Sequence, residues 1–155
     1  MLSCPRNLHA EKRGAAVINL TQEMSERINN ALANRTPCLL ATASATGEPS
    51  LGYKGSVMVF DDGHLAYWER ARRGLLDHIE QNPKVTVLYS DLAARTHWRF
   101  HGEATVYQTG PIREQIMART VQAELDRDPE RKGYGVVIRV DKITDLLGQV
   151  LQQRD

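Results

Sequence analysis

The densest chemistry in this chain lies in the run Glu69-Arg70-Ala71-Arg72-Arg73-Gly74, which the sequence places where a strand ends and a helix begins. Free N–H groups at a helix start carry partial positive charge, so cations are normally disfavoured there. Three arginines at such a place repel one another unless an anion is present. A phosphate would be held by the guanidinium forks and the N–H groups together. The alternative is a solvated basic turn with Glu69 as partial counterion. Just upstream, Tyr53-Lys54-Gly55-Ser56-Val57 offers a lysine, a hydroxyl and a glycine that permits close backbone approach. These suit a phosphate or a flat ring against the strand; the alternative is an edge strand with a bulge. The Asp62-Gly63 turn would fold this strand back on residues 64–69, so the ends near Lys54 and Arg70 should meet at one sheet edge.

Other chemistries lack their residues. There is no Walker loop, G-x-G-x-x-G, H-E-x-x-H, C-x-x-C or G-x-S-x-G. His97 and His101 share a strand face, yet four residues in a strand separate them by roughly 13 Å, too far for one ion. No metal is expected. Cys4 and Cys38 have neither the density nor the spacing of a disulfide scaffold. If the protein is an enzyme, a cofactor brings the reactivity. Trp68, two residues before Arg70, is read as a core residue or as the flank of a planar cofactor.

The elements that must position these residues follow from period and punctuation. The chain has 155 residues, 41% hydrophobic and 25% charged, with a net charge of +1, which suits one folded domain and no general attraction for nucleic acid. No stretch approaches ~20 consecutive apolar residues, so no membrane span is expected. The N-terminus lacks the apolar run of a signal peptide, which makes the cytoplasm the default location. Residues 1–17 read as a flexible arm, and residues 18–155 as the domain. Thr21 caps a helix with Met24, Ile28, Ala31 and Leu32 on one face, ended by Asn34 and Pro37. Strands are predicted at 38–42, 50–60, 64–69, 85–89, 96–107 and 133–140. Short helices are predicted at 74–82 and from Pro111 to about Asp126, and the tail to Asp155 is read as helical. Strands and helices do not alternate regularly, so the expected class is mainly β with peripheral helices, an antiparallel barrel.

Several of these segments together resemble the pyridoxamine 5′-phosphate oxidase-like family of FMN-binding split barrels, across about residues 21–141. They are Leu40-Ala41-Thr42 with Gly47-Glu48-Pro49, Lys54-Gly55-Ser56-Val57 ahead of Asp62-Gly63, Tyr67-Trp68 with Arg72-Arg73, Ile79 to Val85, and Phe100-His101-Gly102-Glu103-Ala104. The resemblance implies a six-stranded antiparallel split β-barrel forming a homodimer, with FMN in a cleft between subunits. It implies cofactor contacts from Lys54, Gly55, Ser56, Val57 and Met58, a border at Tyr67 and Trp68, and phosphate held by Arg72 and Arg73 with Arg70 as a further candidate. The C-terminal tryptophan and arginine-leucine motif of true pyridoxamine phosphate oxidases is missing, so the resemblance does not extend to vitamin B6 oxidation. The expected function is an FMN-dependent oxidoreductase acting on a small molecule. The rivals are a non-catalytic flavin or haem carrier or sensor, a deazaflavin-dependent reductase on the same barrel, and a barrel whose cofactor site has decayed.

Overall fold

A computed structural model describes residues 16–71 and 73–155. The expected arm lies almost wholly outside the described residues. Ala16 and Val17 are exposed, and burial begins at Ile18 and Leu20.

Eight strands and four helices form among the described residues. The strands are β1 (Cys38–Ala43), β2 (Pro49–Lys54), β3 (Met58–Asp61), β4 (His64–Glu69), β5 (Lys84–Asp91), β6 (Thr96–Tyr107), β7 (Tyr134–Thr144) and β8 (Val150–Gln153). The helices are α1 (Gln22–Asn29), α2 (Leu75–Gln81), α3 (Pro111–Arg119) and α4 (Gln122–Leu125). The strands make one sheet in the order β2-β1-β5-β6-β7-β4-β3, with β8 on β7, and every pairing is antiparallel. Consecutive strands β2 and β3 thus stand at opposite ends of the sheet. Only residues 55–57 join them, so the sheet must curl until its two ends approach, which is a barrel with a seam.

Leu40, Leu65, Val87, Phe100, Ile138 and Ile143 fill the interior. A smaller apolar cluster of Met58, Ala66, Trp68, Ile116 and Leu125 lies beneath α3 and α4. Strand β4 faces both clusters and is buried from Leu65 to Glu69. Two-sided burial explains its unbroken apolar run.

Four expectations are corrected. The single strand at 50–60 is two strands, because the backbone turns at Gly55-Ser56-Val57 and each half pairs with a different end of the sheet. The helix from Pro111 breaks at Thr120, whose hydroxyl donates to the Ile116 carbonyl at 2.7 Å while its backbone turns extended. That side chain satisfies the carbonyl that the next helical N–H would have used. The first helix ends at Asn29, short of Asn34, although turns continue beyond it. The tail is strand β8 rather than helix. Asp145 Oδ1 accepts the N–H groups of Leu147 and Gln149, and Gly148 at φ 87° completes a hairpin that returns the chain to β7. The barrel class therefore stands with eight strands in place of six.

Candidate functional site

The seam between β2 and β4 is where the two basic segments meet. A cleft of about 220 Å³ opens there, lined by Lys54, Gly55, Ser56, Trp68, Arg70 and, from the far side, Glu124 and Arg127. The meeting of Lys54 with the end of β4 is thus as the Asp62-Gly63 hairpin predicts, since β3 and β4 pair in that register.

The cleft's cations arrive with partners. Lys54 Nζ donates to Glu69 Oε2 at 2.7 Å, and the other Glu69 oxygen accepts the Ala71 N–H at 3.0 Å. Glu69 is only 2% exposed, so this carboxylate is a buried charge that needs its lysine. Arg70 Nε donates to Glu124 Oε2 at 3.2 Å. A Cβ at Gly55 would lie 2.6 Å from Glu124 Oε1, so the glycine leaves room for that carboxylate at the seam. Ser56 does not turn its hydroxyl to the cleft. Its oxygen accepts the Trp68 N–H at 3.0 Å and donates to the Trp68 carbonyl at 3.1 Å, standing in for a strand partner that β4 lacks at this point.

The remaining expected residues divide. Trp68 borders the cleft with little of its surface, because its indole is held from behind. Its Nε1 donates to Asp128 Oδ2 at 2.9 Å, and the Arg113 guanidinium stacks 4.8 Å from the ring centroid. Against the opposing effect of burial, the Lys132 and Gly133 amides, the Trp68 Nε1–H and the charge of Arg131 hold the Asp128 carboxyl below its usual range. Tyr67 points into the barrel interior, its hydroxyl buried with no hydrogen-bond partner among the described residues. Burial pushes its phenol well above the usual tyrosine range. Val57 and Met58 are buried and belong to the two apolar clusters, not to the cleft lining. Arg73 is exposed and makes no ion pair with a described residue. Arg72 lies outside the described residues. Helix α2 has seven residues, and the Gly74 N–H at its start already donates to Asp77 Oδ2 at 3.1 Å. The helix start therefore offers one N–H fewer to an anion than the sequence argument assumed.

Sequence reasoning missed Glu124 and Arg127. Arg70 and Glu124 are 54 positions apart, and no local pattern announces that α4 packs on the seam. With Lys54 and Arg70 neutralised by Glu69 and Glu124, the surplus charge in the cleft is that of Arg127, which makes no ion pair among the described residues. A phosphate-sized anion fits both this volume and this charge. The flavin ring does not fit inside, since pockets that enclose whole cofactors start at roughly 300 Å³.

Cys38 is a free core thiol, pushed by burial up to about 12, which makes it unreactive. His101 sits between Thr86 Oγ1 at 3.2 Å and Thr144 Oγ1 at 2.9 Å. Burial, then the charges of Lys142 and Arg99, lower its pKa below 6.5. The unfolded chain thus takes up this proton first. Stability should be full above about pH 6.5 and should fall as the pH drops from there toward the lower folded value. His101→Gln is expected to flatten that part of a plot of urea midpoint against pH; an unchanged slope would assign it to other groups.

The sequence profile described as pyridoxamine 5′-phosphate oxidase matches residues 24–143. The chain belongs to this family. Among solved structures, HupZ from Group A Streptococcus is 25% identical, with a TM-score of 0.63, over 87% of this chain and 98% of that one. An FMN-binding protein from Syntrophomonas wolfei is 15% identical, with a TM-score of 0.63, over 81% of this chain and 87% of that one. A pyridoxamine 5′-phosphate oxidase-related, FMN-binding protein from Nostoc punctiforme is 13% identical, with a TM-score of 0.54, over 82% and 84%. The last two likenesses are of fold. No curated protein matches the chain. β8 and its turn occupy residues 145–153, after the matched region.

Proposed function

We propose that this member of the pyridoxamine 5′-phosphate oxidase family is a cytoplasmic homodimer that binds FMN and acts as an oxidoreductase on a small molecule. The observation that carries the reading is the seam cleft, of phosphate size and with one surplus cation, opening beside the arginine run. Two structural neighbours are named as FMN-binding, which supports the choice of anion.

In this reading Arg73 and Arg127, whose charges are not neutralised within the described chain, hold the phosphate together with Arg72. Lys54 and Arg70 are held by Glu69 and Glu124 and fix the shape of the cleft. Leu32, Pro37 and Tyr53 complete its lining. The ring would have to lie outside the cleft, whose volume suits the phosphate alone. Bound FMN supplies hydride or single-electron transfer, and the protein's share is orientation and exclusion of solvent.

The test is an absorbance spectrum of the purified protein, followed by titration with FMN. Flavin bands near ~450 nm, or saturable uptake of added FMN, are expected of this cofactor class. Changing Arg72 and Arg73 together to Ala removes two charge-assisted contacts and should weaken FMN binding at least about tenfold. Unchanged affinity would rule out the arginine run as the phosphate grip. A protein indifferent to FMN but taking up deazaflavin or haem would replace the cofactor assignment altogether.

A further inference from the structure

The two ion pairs of the seam cleft are not alike. Lys54 and the buried Glu69 meet at 2.7 Å, and the second Glu69 oxygen accepts the Ala71 N–H. That carboxylate is committed on both oxygens, and the pair ties the end of β2 to the end of β4. Arg70 and Glu124 meet at 3.2 Å through the arginine Nε alone, and the Arg70 side chain is 36% exposed. An arginine grips a carboxylate best through two parallel N–H···O bonds. Only one forms here among the described residues.

Glu124 is the fixed member of this second pair. It lies on α4, whose Leu125 is anchored in the apolar cluster with Met58, Ala66 and Trp68. Its side chain is 9% exposed, and its Oε1 fills the space beside Gly55. Glu124 ties no strand to another, so closing the barrel does not require its charge. The effect of that charge is on the cleft. It offsets Arg70, as Glu69 offsets Lys54, and leaves the surplus of Arg127 alone. A phosphate monoester carries about 1.5 to 2 negative charges at pH 7. The cleft is thus undercharged for the anion that its volume suits.

We propose that Glu124 is a specificity residue of the cofactor site: it holds the charge of the cleft low, so that a phosphate-bearing flavin binds exchangeably and not permanently. The inference rests on the reading that the FMN phosphate enters this cleft. A carboxylate set beside a dianion in a partly desolvated site weakens binding by like-charge repulsion. Riboflavin has the same ring without the phosphate, and as a neutral ligand it should not sense Glu124.

The test is fluorescence titration of the full chain with FMN and with riboflavin, together with the rate at which bound FMN leaves on dilution. Glu124→Gln keeps the shape of the side chain and an acceptor for Arg70 Nε but removes the charge. It should bind FMN at least about tenfold tighter, release it correspondingly more slowly, and bind riboflavin unchanged. Glu124→Asp keeps the charge and should not tighten FMN binding. Arg127→Gln should weaken FMN binding, and the double variant Glu124→Gln, Arg127→Gln should return close to the starting affinity, because the charge of the cleft is restored. A merely structural Glu124 would give neither this reversal nor the difference between the two flavins. The proposal is overturned if Glu124→Gln leaves FMN affinity unchanged or lowers it, or if riboflavin binding tightens equally. Arg127 is exposed, so Arg127→Gln serves on its own if Glu124→Gln does not fold. Unchanged FMN affinity in that variant also overturns the proposal. No uptake of FMN by the unaltered protein or by Glu124→Gln would refute the cofactor reading and this inference with it. Uptake with equal Kd by both would refute this inference alone.

Discussion

Lys54→Met should destabilise the protein by about 3 kcal/mol, because it strands a buried carboxylate. Glu69 is 2% exposed and Lys54 13%, so little water can replace the lysine at the carboxylate. For a chain of this length the loss corresponds to a fall of roughly 6–12 °C in Tm. The double variant Lys54→Met, Glu69→Leu should recover most of the loss, since removing both charges also removes the cost of burying them. The Ala71 N–H that Glu69 accepts would then turn to solvent, as Ala71 is exposed. Thermal melts of the two variants decide the matter. A loss below about 1 kcal/mol in the single variant would mean that the pair behaves as a surface ion pair. The result bears on the site, because the same pair closes the barrel seam: Lys54 ends β2 and Glu69 ends β4. A destabilised seam should loosen any ligand of the cleft without a ligand contact being removed.

Gly102→Ala should have the larger effect, a loss above about 4 kcal/mol or failure to fold. A Cβ at this position would overlap the Arg139 carbonyl oxygen and lie 3.2 Å from Val140 Cα. The register of β6 against β7 shifts here, with His101 opposite Lys142 and Gly102 opposite Val140, so Asp141 is the extra residue of a bulge. Both strands are interior to the sheet and cannot move aside without breaking pairing to β5 and β4. Gly47→Ala serves as the control. Nothing lies within 4 Å of its Cβ position, and its φ of +84° should cost only about 1 kcal/mol. Urea denaturation of the two variants separates them; similar small losses would show that the bulge can relax.

What could be read from the amino acids alone is what neighbouring residues decide between themselves. Thr21 caps α1 because its hydroxyl accepts the Met24 N–H three positions on. Asp62-Gly63 sets the β3–β4 hairpin, Asn82-Pro83 ends α2, and Phe100 and Ala104 turn inward through the alternation of β6. The meeting of Lys54 with the end of β4 was legible for the same reason, since one hairpin fixes both ends. Other features depended on partners far along the chain. The crossing at residues 55–57 exists because β2 and β3 find opposite ends of the sheet. Residues 150–153 are a strand because β7 leaves an edge for them, although their own pattern also fits a helix. The charge of the seam is small because Glu124 arrives from α4 to meet Arg70. Short-range stereochemistry and hydrogen bonding write turns, caps and alternation into local sequence. Which cations keep their charge free for a ligand depends on the fold, because packing alone brings the neutralising carboxylates to them.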